Sequence, residues 1–445
     1  MSTRTELNAT HDPQLRSWIA AANSEDSDFP IQNLPFGVFR RRGPGDAPRC
    51  GVAIGDQVLD LVAIGGMFDG PVAHAVALTY AEGALNPLMA LEPEAASALR
   101  AQLSRLLRAG EAPAAQREAV AAALVPMTEA QLMLPVRVGG FTDFFASVHH
   151  ATNAGRLFRP DNPLLPNYKY VPIAYNGRAN SVRLAGEVRR PRGQIKGAGD
   201  ERPVYRASAK LDYEVELGVY VGLPSSTDAP VTVAHAWDHV FGASLLNDWS
   251  ARDIQSWEYQ PLGPFLAKSF ATSVSPWVVT AQALAPFRTQ AFQRPALDPE
   301  PLPHLYDAAD QRNGGLSIRI DARLRSARMR DRNLPPLRLS QSDSATLYWT
   351  LGQMVAHHTS NGSALDTGDL LGSGTISGDA KTALGSLLEI TRGGADALAL
   401  PSGETRTFLE DGDELVLTGF CERPGFVRIG FGECRATVLP AGGTM

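Results

Sequence analysis

Carboxylates occupy positions 212, 214 and 216 in Leu211-Asp212-Tyr213-Glu214-Val215-Glu216-Leu217-Gly218-Val219-Tyr220-Val221, and every odd position there is apolar or aromatic. Period-2 alternation assigns the odd set to one face of a strand and Asp212, Glu214 and Glu216 to the other. Residues two apart on a strand stand about 6.6 Å apart, so three like charges in a row repel unless water or a cation lies between them. A solvated edge strand is the ordinary reading of such a pattern. A second acid-bearing segment, from Asn247 to Tyr259, weighs against it. There Asp248, Arg252, Gln255 and Tyr259 recur at i, i+4, i+7 and i+11, one stripe of a helix. A polar stripe must face water, a partner or a site. Hard divalent cations take oxygen ligands, and an ion held by Glu214, Glu216 and Asp248 offsets the repulsion on the strand face. Asp143, in Gly140-Phe141-Thr142-Asp143-Phe144-Phe145, is a candidate fourth acid that would serve equally well as a turn or cap residue.

The chain has nine histidines. His235 and His239 have the i, i+4 spacing of a zinc-peptidase helix, but Ala236 stands where H-E-x-x-H needs its glutamate, so surface or core roles are the better reading. His150, seven residues after Asp143, is the natural general base beside a metal, because a histidine side chain exchanges protons near working pH. Gly372-Ser373-Gly374-Thr375-Ile376-Ser377-Gly378 fits neither phosphate-loop pattern, and its small residues suit close approach of a ligand to the backbone. There is no G-x-S-x-G nucleophile elbow.

The elements that position these groups are legible in outline. At 445 residues the chain is long enough for two domains. A net charge of −6 excludes a basic footprint for nucleic acid, and no run approaches a membrane span. Three widely spaced cysteines, Cys50, Cys421 and Cys434, fit reduced thiols in the cytoplasm. Residues 1–28 read as a helical arm, and residues 36–62 as small-barrel strands with a tight turn at Gly55-Asp56. Residues 87–125 read as two helices broken at Gly110 and Pro113. The boundary between lobes falls at 125–135. Beyond it strands dominate, among long loops at 158–203 and 284–315, and end with strands over 414–420 and 425–432. The fold class is mostly β, of the α+β kind.

Together these segments resemble the fumarylacetoacetate hydrolase family in its long two-domain form. The matching text includes FTDFFASVHHATNAGRLFRP (141–160), LPNYKYVPIAYNGRANSV (165–182), KLDYEVELGVYVG (210–222), LLNDWSARDIQSWEYQPLGPFLAKSFATSVSPWVV (245–279) and GDLLGSGTISG (368–378). It continues through GSLLEIT (385–391), FLEDGDELVLTGFC (408–421) and IGFGEC (429–434), with FPIQNLPFGVF (29–39) and GVAIGDQVLDL (51–61) near the start. The resemblance implies a small SH3-like barrel domain over 1–130, a mixed β-roll catalytic domain over 131–445, and a homodimer. It places calcium ligands on Asp143, Glu214, Glu216 and Asp248, and a magnesium site on Asp248, Lys268 and Thr272. The general base falls on His150, its orienting acid on Glu389, and the oxyanion donors on Arg252, Gln255 and Lys268. Substrate contacts fall on Phe145, Arg159, Tyr175, Gln255, Tyr259 and Thr375. The implied reaction is metal-dependent hydrolysis of a carbon–carbon bond in fumarylacetoacetate, a small molecule, to fumarate and acetoacetate. Two positions depart from the family pattern: Phe145 replaces a substrate-contacting tyrosine, and Ala271 replaces a glycine beside the magnesium loop. The nearest rivals are an acylpyruvate hydrolase or oxaloacetate decarboxylase of the same superfamily, and a catalytically silent metal-binding scaffold.

Overall fold

A computed structural model describes residues 5–43 and 45–443. Three larger sheets carry the architecture, two of five strands and one of eight. In the first, Phe36–Arg41, Arg49–Ile54 and Gln57–Asp60 form an antiparallel meander, with Leu124–Pro126 and Ala130–Met133 as the outer strands. The turn falls at Gly55-Asp56, as the alternation predicts. Gly55 has φ 58°, and a Cβ there would stand 2.6 Å from the Ala22 backbone nitrogen, so glycine alone fits. Helices Pro93–Leu107 and Ala114–Ala122 match the two expected. A third, Gly70–Glu82, escaped the sequence reading because its Ala/Val/Leu content runs round the helix without a distinct stripe.

The N-terminal arm is not the expected helix. Residues 5–28 run as irregular chain with single turns at Ala9–His11 and Ala20–Asn23, and residues 1–4 lie outside the described residues. No apolar stripe there is long enough to repay helix nucleation. Side chains anchor the arm and the segment after it: buried Arg100 donates to Thr10 Oγ1, Gln32 O and Asn33 O at 2.9, 2.5 and 2.8 Å.

The central eight-stranded sheet positions the acids. Along it run Ala174–Asn176, Phe141–Phe144, Leu370–Gly372, Val215–Val221, Val240–Asp248, Thr272–Val274 and Val182–Leu184, and Val279–Thr280 pairs with the Val240–Asp248 strand. The acid-bearing strand is therefore central, not an exposed edge. Every residue from 211 to 221 is buried. Its odd face, with Leu217 and Val219, packs with Ile320, Leu415, Leu417 and Phe431 of the second five-stranded sheet (Leu337–Asp343, Arg319–Arg325, Glu414–Cys421, Ile429–Leu439, Glu187–Arg189). The last of the expected strands thus starts at Ile429, after a turn at 424–426.

On the even face, Tyr220 lies under the N-terminal helices together with Leu246 and Leu370, while Glu216 occupies the other end. One strand face is thus apolar where the first lobe covers it and acidic where the site begins. Two expectations change here. The strand is not continuous: pairing stops after Leu211–Asp212 and resumes at Val215. Asp248 does not begin a helical stripe. It ends the strand Val240–Asp248, opposite Thr272, and the helix spans only Arg252–Glu258. Partners on both sides, Val215 facing Asn247 and Thr272 facing Asp248, hold those positions extended against local helical spacing. Among the described residues no helix is long and apolar enough to cross a membrane.

Candidate active site

Three strands of the central sheet bring the acids together. Phe141–Phe144 runs parallel to Leu370–Gly372 with Asp143 opposite Gly372, and Gly372 also pairs with Gly218, two residues beyond Glu216. Asp248 arrives on the next strand. Ligand oxygens of Asp143, Glu216 and Asp248 lie within 4.8 Å of one another, all three residues buried, and they form the one such acid, His or Cys group among the described residues. At that separation each like-charged pair repels by roughly 3–4 kcal/mol at an effective dielectric of about 20.

Cations surround this triad. Lys268 Nζ lies 2.6 Å from Glu214 Oε2 and 2.6 Å from Asp248 Oδ2. Arg178 Nη2 lies 2.7 Å from Asp143 Oδ2 and 3.0 Å from Asp248 Oδ2. Arg252 bridges Glu214 (2.8 Å) and Asp212 (2.9 Å). Asp212 also accepts from the Leu387 and Leu388 N–H groups at the start of the helix Leu387–Ile390, so it anchors Arg252 and stands apart from the triad. Glu214 is satisfied by its two cations. Burial opposes its charge, but Lys268 and Arg252 outweigh burial and, with His150 nearby, hold the carboxyl well below its usual range.

Glu216 is the reverse case. Burial first, then Asp143, Asp248 and Glu214, push its carboxyl well above the ordinary value. Both Glu216 oxygens, Asp143 Oδ1 and Asp248 Oδ1 are buried without a hydrogen-bond partner. Buried carboxylate oxygens left unpaired are costly, and four of them on three acids that converge within 4.8 Å fit a hard cation. Burial pushes Asp248 up to about 6, against the opposing pull of Arg178 and Lys268.

His150 sits in the helix Val148–Phe158, capped by Ser147. Its Nδ1 is 2.7 Å from Glu389 Oε2, and Asn153 Nδ2, Ser377 Oγ and Ser386 Oγ also donate to Glu389 at 2.9, 2.8 and 3.0 Å. A carboxylate so surrounded accepts a hydrogen bond from Nδ1–H, which keeps that proton on Nδ1 and leaves Nε2 as the basic nitrogen. The Phe145 ring stands edge-on to His150 at 5.4 Å.

The remaining predicted residues are distributed unevenly. Thr272 is fully buried beside Asp248, its hydroxyl 3.0 Å from Ser181 Oγ. Tyr175 donates to Asp143 Oδ2 at 3.1 Å, and Gln255 Oε1 accepts from Arg252 Nη1 at 3.1 Å. Thr375 is buried in the loop after Gly372. Arg159 is exposed and donates to Pro163 O, and Tyr259 ends its short helix half-buried. Sequence reasoning missed Arg178, which lies without periodicity between the strand Ala174–Asn176 and the single turn Ala179–Ser181. The available signal was the charge imbalance itself, since buried acids require cations.

A family model described as fumarylacetoacetate hydrolase C-terminal matches residues 140–439, and one described as fumarylacetoacetase N-terminal matches residues 32–135. The chain is 44% identical to the fumarylacetoacetase of Rattus norvegicus over 421 residues, covering 94% of this chain and 98% of that protein. It is 44% identical to that of Oryza sativa subsp. japonica over 434 residues, with 96% and 98% covered. The fumarylacetoacetase of Homo sapiens is 44% identical over 422 residues, with 94% and 98% covered.

Proposed function

The chain belongs to the fumarylacetoacetate hydrolase family, and from that premise we propose that it hydrolyses 4-fumarylacetoacetate to fumarate and acetoacetate, the last step of tyrosine and phenylalanine breakdown. The observation that carries the reading is the set of unpartnered oxygens on Asp143, Glu216 and Asp248, close to an acid-oriented histidine. Those three residues would hold a divalent ion, calcium or magnesium, with Glu214, Lys268 and Thr272 at its margin. When bound, the ion supplies a Lewis acid for the diketone oxygens and for charge on the departing acetoacetate carbon.

The chain's own groups do the rest. His150 Nε2 takes a proton from water, and the hydroxide oxygen bonds to the fumaryl carbonyl carbon. The bond from that carbon to the acetoacetate methylene carbon then breaks, its electron pair staying on acetoacetate, which takes the proton that His150 had accepted. Arg252, Lys268 and the Gln255 amide, whose Oε1 is already occupied by Arg252, face the developing oxyanion, where preorganised donors contribute most. Phe145, Arg159, Tyr175, Tyr259 and Thr375 complete the substrate contacts. A homodimer, a cytoplasmic location and a division into domains at residues 130/131 belong to the same proposal, supported by the resemblance and by three buried free thiols.

Phe145 favours one second reading, an acylpyruvate or other β-diketone substrate with a less polar acyl group. Following the fall in ultraviolet absorbance of fumarylacetoacetate with purified protein, and assaying acetoacetate, tests the assignment. Rapid loss with equimolar acetoacetate supports it. Turnover of acylpyruvates alone would replace it with the second reading.

A further inference from the structure

We infer that Arg178 is a positioning residue of the metal site, clamping one oxygen each of Asp143 and Asp248 so that the other oxygen of each faces the ion. The inference rests on the metal-site reading above and extends it, because Arg178 belongs to none of the ligand, base or oxyanion sets.

The geometry divides each aspartate in two. Asp143 Oδ2 accepts from Arg178 Nη2 at 2.7 Å and from the Tyr175 hydroxyl at 3.1 Å. Asp248 Oδ2 accepts from the same Nη2 at 3.0 Å and from Lys268 Nζ at 2.6 Å. Both Oδ1 atoms are buried and unpartnered. The terminal torsion of an aspartate is broad and roughly two-fold, so an unclamped carboxylate can turn either oxygen, or neither, towards an ion. With both Oδ2 atoms held by one guanidinium, the two Oδ1 atoms are fixed relative to each other.

The clamp is itself held. The Arg178 guanidinium carbon lies 4.7 Å from the ring centre of Phe141 and 4.7 Å from that of Tyr175, and the side chain is 8% exposed. Its backbone has φ 52°, the left-handed region that side-chain-bearing residues occupy at a cost. The turn after Gly177 therefore spends strain to deliver an arginine here. Lysine would not substitute, since its ammonium lacks the flat face that stacks between Phe141 and Tyr175 and holds Nη2 in place.

A simple charge-balancing role makes the opposite prediction. Removing a balancing cation leaves more negative charge and draws a divalent ion in more tightly. Removing a clamp lets the aspartates turn away and weakens binding.

The test is magnesium affinity by isothermal titration calorimetry on chelator-treated full-length protein, for wild type, Arg178→Met, Arg178→Lys and Glu216→Gln. Both Arg178 variants are expected to bind about 10- to 100-fold more weakly, the range typical when outer partners of metal ligands are removed. The magnesium concentration for half-maximal activity rises by the same factor. If Arg178→Met fails to fold, as read by near-ultraviolet circular dichroism, Arg178→Lys carries the test alone. Binding by the folded variants within threefold of wild type, or tighter, overturns the clamp. Glu216→Gln separates the two claims: wild-type affinity there would sink the metal-site reading, whereas loss there with unchanged Arg178 variants would sink the clamp alone.

Discussion

Asp143 and Gly372 face each other on neighbouring parallel strands, and a Cβ on Gly372 would come within 2.6 Å of Asp143 Oδ1 and 3.1 Å of Glu216 Oε2. The space a methyl group would take is the space into which the unpartnered acids converge. Asp143 is tied down at its other oxygen by Arg178 and Tyr175, so it cannot simply swing aside.

Gly372→Ala should therefore weaken metal binding while leaving the fold intact. Overpacking of this kind typically costs about 1–3 kcal/mol, which corresponds to about 5- to 150-fold in affinity. Calorimetric titration with magnesium checks this, and unchanged affinity would show that the ion does not sit among these oxygens.

His150→Ala should lower the turnover rate by about 10²–10⁴, the usual span for a general base, with metal affinity preserved. His149, half-buried and edge-on to Phe292 at 6.2 Å, is the control. Steady-state rates for both variants decide the matter: a larger loss from His149→Ala would assign the base to the wrong member of the pair.

Glu389 yields a pH prediction. Burial alone would raise its carboxyl, but His150, Asn153 and Ser377 outweigh burial and hold it below the ordinary value. A folded-state pKa below the unfolded one, about 4.3 for glutamate, stabilises the protein above that unfolded value. The stabilisation is lost as pH falls through the folded-state pKa. The stability advantage of wild type over Glu389→Gln, from urea unfolding at a series of pH values, should be present at about pH 5 and shrink below about pH 4. An advantage that grows on acidification would contradict this.

How much of this was legible in the sequence varies by residue. The alternation from Leu211 to Val221 identified the acid face, and the Gly55-Asp56 turn was legible from its flanking strands, because both signals are local. Asp248 does lie beside Glu216 of the acid face, but on a strand rather than the expected helix, since the helical spacing from 248 to 259 competes with a nonlocal pairing to Thr272 that no local pattern records. The same limit hid how Asp143 joins the others: its partner strand, Leu370–Gly372, lies more than 200 residues away. Arg178 carries no periodic signal at all, being placed by a left-handed turn. The fold class and the family followed from long matching segments, whereas the irregular N-terminal arm did not, because its order comes from contacts such as Arg100 with Thr10.

Phe145 tests the substrate assignment. Its ring packs edge-on against His150 at 5.4 Å and Tyr168 at 6.0 Å, and the Tyr168 hydroxyl is already spent on the Phe145 carbonyl. Phe145→Tyr adds at most one hydrogen bond, worth about 0.5–1.5 kcal/mol, so KM for fumarylacetoacetate should fall by about tenfold or less with kcat little changed. A gain of several hundredfold in kcat would point instead to a less polar natural substrate.

The central claim is that the buried acids act through a divalent ion in carbon–carbon bond hydrolysis. Its most direct test is the rate of fumarylacetoacetate loss with chelator-dialysed, metal-free protein, before and after magnesium or calcium is restored. The structure predicts negligible turnover without metal and recovery on its return. Full turnover by metal-free protein would contradict the account.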